Sequence, residues 1–441
     1  MLKEMMDKCD ILIVMFFFKG RDAEIIIPLK YYLENIFHLN VKVCSVFDPY
    51  MIDIYNPGIV LMENTIGSEF HVAFGKYAFK KGYPIVSLVS EGYLTEQNVQ
   101  TDLWGCNLKH EIYFNKWFLW TPGLKRMALK YFPDLKKKVD LDISGAIGFD
   151  RYQIYDFADQ RKFLKKYHKE KYKKVIGYAG WVFCSYFNPK EYEKLISEFG
   201  QKYFSYFKND KETVSNILRQ IIKSNKDTLF IFKLHPSEME DNMDISRSWA
   251  QEFDNVLVFQ AEEPVADIIN VCDIWMVYDS TTCTEAWLLG KPTIVIMPSP
   301  NIKFRSDCYK GSAIARNLHQ LSDLIDNYKE KERVEGFYEK KKYRKKIIRA
   351  LVYREDGLNF KRTAEKIHQF LMISSKRRDT SLLSFKICYL IQHLSLVLLS
   401  RLIWLPFLNK STILKWYNEQ PDFINLEKKY TPYIRKFLKT S

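Results

Sequence analysis

The stretch Asp273-Ile-Trp-Met-Val-Tyr-Asp-Ser-Thr-Thr-Cys-Thr-Glu-Ala-Trp-Leu-Leu-Gly-Lys-Pro-Thr-Ile-Val-Ile296 spells out one strand–helix–strand unit. The apolar run at 274–277 is short enough to be a buried strand rather than a helix. A hydroxyl-rich turn follows at Ser280, Thr281 and Thr282, then a helical stretch over 284–289. Gly290 ends that helix and Pro292 opens the next buried strand, 292–296. Working outward, strands are expected at 174–178, 228–234 and 255–259, with helices at 214–223 and 265–270. A charged helix over about 155–172 precedes them. The first half repeats the alternation. Strands are expected at 11–18, 41–47, 58–62, 84–90, 118–121 and 139–143, with helical patterns after Asp22 and over 69–81. Short apolar runs alternating with helices predict parallel sheets with crossover helices. Two such halves predict an α/β chain with two Rossmann-like domains facing one cleft. No short repeat supports a solenoid.

The 441 residues fit two domains and a tail. The boundaries read as 1–152, 153–375 and a basic, apolar helical tail at 376–441. The chain is 47% hydrophobic, which excludes disorder as its dominant state. The net charge of +14 favours an anionic partner. Eight scattered cysteines with no CxxC pair argue against a zinc site or disulfide framework and fit a reducing cytoplasm. The start is too polar for a signal peptide, and the run at 11–18 is too short to span a bilayer.

The strand Phe230-Ile-Phe-Lys-Leu234 delivers His235 and Pro236 to its C-terminal end, the edge where open α/β sheets bind ligands. An imidazole there can donate to a phosphate oxygen and stabilise a departing phosphate. A structural imidazole is the alternative. Ser280, Thr281 and Thr282 sit where a helix begins, so their hydroxyls, the free N–H groups and the helix dipole make an anion site. Plain N-capping would need only one of the three. Glu285, in the first turn, can accept from ribose hydroxyls or simply complement the dipole. Gly180 closes the loop Gly177-Tyr-Ala-Gly180, and Lys19 and Arg21 flank Gly20 after the first strand. Neither loop is a dinucleotide fingerprint, and there is no P-loop. Asp140-Leu-Asp142 has the letters of a metal motif but lies on a strand and is read as incidental.

Lys-Leu-His-Pro, followed about 45 residues later by Ser-Thr-Thr-x-x-Glu-Ala-x-x-x-Gly-Lys-Pro, resembles the GT-B glycosyltransferases of bacterial surface polysaccharide synthesis. The likeness is strongest to the users of CMP-sugars: sialyltransferases, polysialyltransferases and Kdo transferases. It implies that His235 and Pro236 match the HP motif that binds CMP. Ser280 and Thr281 match the serine/threonine motif at the donor phosphate, and Glu285 matches a ribose-holding acid. It also implies that Val89-Ser-Glu-Gly92 stands for the acidic motif of the first domain. Glu91 would then be the general base, with Ser90 in place of the first acid. Glu63-Asn-Thr-Ile-Gly-Ser-Glu-Phe70, Asp102-Leu-Trp-Gly105 and Gly145-Ala-Ile-Gly-Phe-Asp150 follow the family's order as well.

The resemblance implies an inverting, metal-independent enzyme with no cofactor. It would move a Kdo-like or nonulosonic acid from CMP to a surface glycan of capsule or lipopolysaccharide type. Glu91 would deprotonate the acceptor and CMP would leave against His235. A retaining course stays open. So do a CDP-glycerol or CDP-ribitol phosphotransferase of teichoic-acid type and a non-catalytic scaffold, the last favoured by the loss of an acid at Ser90. The acceptor would be a glycan or lipid-linked glycan, which Lys19 and Arg21 could meet. Residues 376–441 would touch an anionic membrane surface or a second subunit, placing a cytoplasmic protein peripherally on the inner membrane face. Packing of 381–407 on the protein itself is the alternative. Nucleic acid is not expected as a partner, since no zinc-finger, helix-turn-helix or stacking-aromatic motif accompanies the charge.

Overall fold

The computed structural model describes residues 8–94, 96, 99–180, 201–234, 246–260, 262–299, 305–374, 395, 398–399 and 412–441. They divide into two compact units: those up to Tyr155 together with those from Arg349 onward, and those from Asp156 to Ile348.

The first unit is built on six strands: β1 (Ile11–Met15), β2 (Val41–Ser45), β3 (Ile59–Met62), β4 (Ile85–Ser87), β5 (Lys116–Leu119) and β6 (Asp140–Ile143). Their order is β2-β1-β3-β4-β5-β6, and every pairing is parallel. Ile13 lies opposite Val43 on one side and Leu61 on the other. All five residues of β1 and all four of β3 are fully buried, as expected of strands covered on both faces. Helix α1 (Gly20–Asn35) follows β1, and α2 (Glu69–Lys80) follows β3.

The second unit has β7 (Lys174–Ala179), β8 (Thr228–Lys233), β9 (Val256–Phe259), β10 (Ile274–Val277), β11 (Thr293–Ile296) and β12 (Ala313–Ala315). The order is β12-β11-β10-β7-β8-β9, again all parallel. Helix α3 (Gln201–Ser224) precedes β8, and α4 (Thr282–Leu288) joins β10 to β11. The expected strands are found within a residue or two at most ends. β12 was not foreseen, because Ala-Ile-Ala gives no periodic signal. The helix expected over 155–172 is confined to Gln160–Lys166.

The chain returns to the first unit after the second. Helix α5 (Asn359–Ser374) packs on α1. Residues 349–374 therefore group with the first unit, whereas the boundaries expected from the sequence, 153–375, place them in the second domain. The tail's described residues include helix α6 (Thr412–Thr440), which also packs on α1. Phe423 meets Phe18 edge-on at 5.6 Å, Lys30 Nζ donates to Glu427 at 2.5 Å, and Tyr430 stacks on Tyr155 at 4.1 Å. Residues 381–394, 396–397 and 400–407, in the segment expected to meet lipid or protein, lie outside the described residues. No described helix is long and apolar enough to cross a membrane.

Candidate functional site

In an open parallel sheet, ligands bind beyond the strand ends where the chain reverses the direction in which it adds strands. The first sheet reverses between β1 and β3, the second between β7 and β10. Each unit thus has one crevice fixed by its topology, lined by the loops that follow those strands.

At the second unit's crevice, Gly180 follows β7 and Tyr278-Asp279-Ser280-Thr281 follows β10. A side-chain carbon at Gly180 would come within 2.8 Å of the Tyr178 ring. Glycine there lets the chain pass that tyrosine. Gly177 lies opposite Trp275 in the ladder, and any side chain on it would enter the indole ring. The indole Nε1 of Trp275 donates to Thr282 Oγ1 at 2.9 Å. Thr282 Oγ1 and Ser280 Oγ share a hydrogen bond of 2.9 Å, and Ser280 Oγ also accepts the Thr282 backbone N–H at 3.2 Å. Two hydroxyl protons serve this pair and one lies between them. Whichever way that one points, one O–H remains to donate. Thr281 is exposed, and its side chain makes no capping bond to α4. Glu285 is half-buried in the first turn of α4. The three consecutive hydroxyls therefore divide their work: Ser280 and Thr282 shape the turn around Trp275, and Thr281 faces solvent.

The turn rests on a buried polar cluster that sequence reasoning did not find. Arg305 donates from Nη2 to Asp210 Oδ2 at 2.9 Å and from Nη1 to the Tyr278 carbonyl at 3.0 Å. Asp210 Oδ2 also accepts from the Tyr278 hydroxyl at 2.6 Å and from Ser299 Oγ at 2.9 Å. Asp279 accepts from the Ser306 backbone N–H and hydroxyl, while burial pushes its carboxyl up. His235 and Pro236 lie outside the described residues.

At the first unit's crevice, Lys19 takes the N-cap position of α1 and is exposed. Arg21 Nη1 donates to Glu91 Oε1 at 2.5 Å, with side-chain exposures of 49% and 78%. An ion pair that open to water contributes little to stability. It does tie the two residues together, so Arg21, expected at an anionic acceptor, sits on Glu91. Glu91 lies beyond β4 beside Gly92, and a side chain at Gly92 would run into the Trp120 indole. Trp120 Nε1 in turn donates to the Val89 carbonyl at 2.7 Å. Gly92→Ala is accordingly expected to cost about 1–3 kcal/mol through overpacking, read as a lower urea midpoint at constant slope.

At the same crevice are four side chains, Glu63, Ser68, His71 and Asp22, to which the sequence reading gave no individual role. Glu63 is the first residue after β3, and its Oε1 accepts the Phe16 backbone N–H at 2.8 Å, joining the two crevice loops. His71 Nε2 bonds the same Oε1 at 2.7 Å, and His71 Nδ1 meets Ser68 Oγ at 2.7 Å. Ser68 caps α2 by accepting the His71 backbone N–H. Asp22, in the first turn of α1, completes the group. Burial and the Glu63 charge push its carboxyl up to about 7, against the opposing pull of His71, Arg21 and the Phe17 N–H. Glu63 at a strand end was the legible clue. No described group of His, Cys, Asp and Glu side chains converges as a metal-ligand set.

No family model and no curated protein sequence matches the chain. Solved structures do. A Staphylococcus aureus MnaA–UDP co-structure is 14% identical, covers 85% of this chain and all of its own, and superposes with a TM-score of 0.54. A UDP-GlcNAc 2-epimerase from Neisseria meningitidis bound to UDP-GlcNAc is 13% identical over 82% of this chain and all of its own, with a TM-score of 0.50. The wall teichoic acid polymerase TagF with CDPG is 10% identical over 84% of this chain and 90% of its own, with a TM-score of 0.50. The fold is GT-B. At these identities the likeness speaks for the GT-B fold alone: two Rossmann-like units, here with a helical C-terminal segment.

Proposed function

We propose that this GT-B chain is a glycosyltransferase of surface polysaccharide assembly that uses a nucleotide-activated sugar. The reading rests on the Ser280–Thr282 turn at the switch point of the second sheet, where one hydroxyl proton of a fixed pair and the exposed Thr281 hydroxyl remain to meet a phosphate. Three solved structures of like fold hold UDP, UDP-GlcNAc and CDPG. In the finer form of the proposal the donor is a CMP-activated Kdo-like or nonulosonic acid, with His235 and Pro236 at the cytidine monophosphate and Glu285 at the ribose. The acceptor is a glycan or lipid-linked glycan at the inner membrane face, which the +14 charge favours. An acid of the first unit takes the acceptor proton. Proton transfer and fixed hydroxyls carry the chemistry, with no metal or cofactor in the scheme.

The test is a thermal-shift panel with CMP, CDP, UMP, UDP, GDP and ADP on the full chain. A ligand that binds only the folded protein stabilises it by about 2.7 kcal/mol at ~100-fold its dissociation constant. CMP or CDP is expected to raise Tm and the others to leave it unchanged. Ser280→Ala is expected to weaken that binding about tenfold or more, since a hydrogen bond to a charged group contributes about 1.5–3 kcal/mol. A shift with UDP or GDP alone would overturn the cytidine donor, and no shift with any nucleotide would sink the reading.

A further inference from the structure

The helix Lys341–Val352 reads Lys-Lys-Tyr-Arg-Lys-Lys-Ile-Ile-Arg-Ala-Leu-Val, half of it basic and none of it acidic. Its basic residues have two separate uses. Arg344 is buried and turned inward. Its Nη1 donates to the Gly311 carbonyl at 2.9 Å and to the Phe337 carbonyl, and its guanidinium lies 3.6 Å from the centre of the Phe337 ring. Lys340, one turn earlier, likewise donates to the Ser312 and Tyr309 carbonyls, at 2.6 and 3.3 Å. Ile348 continues this inner row and is buried as well. Lys341, Lys342, Lys345 and Lys346, by contrast, are exposed. Among the described residues none of these four has an ion pair or a side-chain hydrogen bond. At ~3.6 residues per turn they fall within an arc of about 140° and about 8 Å of helix length. That is within one Debye length at physiological ionic strength, so the four charges meet a partner as one cluster. Lys341 with Lys345 and Lys342 with Lys346 are like-charged i,i+4 pairs, which weaken a helix taken alone. The inward contacts of Lys340 and Arg344 hold the helix in place against that repulsion. Tyr343, in the midst of the cluster, is exposed, and so is Tyr338 in the turn that leads into the helix.

We propose that this lysine face is an adsorption surface for an anionic lipid bilayer, with the helix lying side-on to the headgroups. The choice of residue favours a bilayer over a nucleic acid or a single bound phosphate. Arginine's planar fork suits bidentate recognition of one phosphate, whereas lysine is a compact point charge. Within 341–346 the one arginine is spent on buried carbonyls, and all four outward charges are lysines. Point charges on flexible stems suit a surface of many mobile headgroups, each carrying a diffuse negative charge. The exposed tyrosines fit the same partner, because a ring with a polar tip settles at headgroup level. Ile348, Leu351 and Val352 are buried, so the helix offers charge rather than an apolar stripe. The contact is therefore electrostatic adsorption rather than insertion. It places the membrane contact in the second unit, whereas the sequence alone points to residues 376–441. Adsorption needs no turnover, so the inference stands apart from the glycosyl-transfer reading and survives its failure.

The test is co-sedimentation of the full chain with vesicles of phosphatidylcholine, alone or with about one-quarter phosphatidylglycerol. Binding is expected to the anionic vesicles only, and to disappear at about 1 M salt, where the Debye length falls to ~3 Å. The triple variant Lys342→Ala, Lys345→Ala, Lys346→Ala is expected to bind about tenfold to a hundredfold more weakly, since each lysine near the surface adds to the attraction. The corresponding triple Lys→Arg variant keeps the charge and is expected to bind as the wild type does, which separates loss of charge from loss of fold. Lys136, Lys137 and Lys138 of the first unit are exposed as well, and their triple alanine variant makes the same change in net charge. It is expected to bind within about threefold of the wild type, because adsorption through one face depends on local rather than total charge. An equal loss in both alanine variants, binding that survives high salt, or no binding to anionic vesicles overturns the proposal. So does loss of binding in the Lys→Arg variant. Tighter binding to duplex DNA than to the anionic vesicles at the same salt would assign the face to nucleic acid instead.

Discussion

Arg305→Leu is expected to destabilise the second unit by about 3–5 kcal/mol, the range for removing one partner of a buried ion pair. The guanidinium and the Asp210 carboxylate are only 5% and 6% exposed. Arg305 also lies over the Tyr278 ring at 4.2 Å from its centre and holds the Tyr278 carbonyl. Leucine would fill much of the space but would leave Asp210, among the described residues, with two hydroxyl donors and no countercharge. Hydroxyls orient a buried carboxylate without neutralising it, so the charge is left exposed to the low dielectric. Asp210→Asn in the same chain removes that charge. The double variant should therefore recover part of the loss, with a coupling of about 1–3 kcal/mol between the two sites. Urea midpoints of the wild type, both single variants and the double variant measure it. Additive effects, or a single-variant loss below about 1 kcal/mol, would show that the pair is not what holds this edge. The consequence reaches the candidate donor turn, because Tyr278 stands two residues before Ser280. Arg305→Leu should thus weaken nucleotide binding without touching a nucleotide-facing hydroxyl.

The strands were legible because each is a short apolar run between polar breaks. The run at 274–277 matched to the residue, and the hydroxyl turn after it lies where the sequence placed it. What the turn's hydroxyls do was not legible. Trp275 reaches Thr282 only because β10 pairs with β7 so that Gly177 faces the indole, and strand register is not written in any local pattern. The acid group of the first crevice was hidden for a related reason. Asp22, Glu63 and His71 are brought together by the β1–β3 adjacency, whereas Glu91 was drawn forward by its likeness to a motif. Helix α5, which the sequence left inside the second domain, has an apolar side, Phe360, Ala364, Ile367 and Leu371, that is buried. The helix packs on α1 of the first unit across a sequence gap no window of residues spans.

The contact that closes that gap makes Asp150→Ala the second large expected loss, about 2–4 kcal/mol in the first unit. Asp150 is 2% exposed. Its Oδ1 accepts from Asn359 Nδ2 at 2.8 Å and its Oδ2 accepts the Phe360 N–H at 2.7 Å, so a residue 210 positions earlier caps α5. Gly145, at φ +78°, gives Asn359 room that no side chain would leave. Removing the carboxyl strands two buried donors, each costing about 1–3 kcal/mol. The same residue gives a pH signature. Burial pushes the Asp150 carboxyl up to about 8, against the pull of its two donors. The unfolded chain loses this proton near the ordinary aspartate value of about 4, whereas the folded chain keeps it to about 8. Between those values the folded state binds more protons, so this group's contribution makes stability fall as pH rises. Each unit is worth at most about 1.4 kcal/mol. Asp150→Asn cannot ionise and should lose this slope while retaining one of the two acceptor contacts. Urea midpoints of wild type and Asp150→Asn at pH 5, 6, 7 and 8 should therefore converge as pH rises, the wild type losing its advantage. Parallel curves would mean that Asp150 is ionised throughout. Its two N–H donors would then outweigh the burial, and the cap would be a charged one.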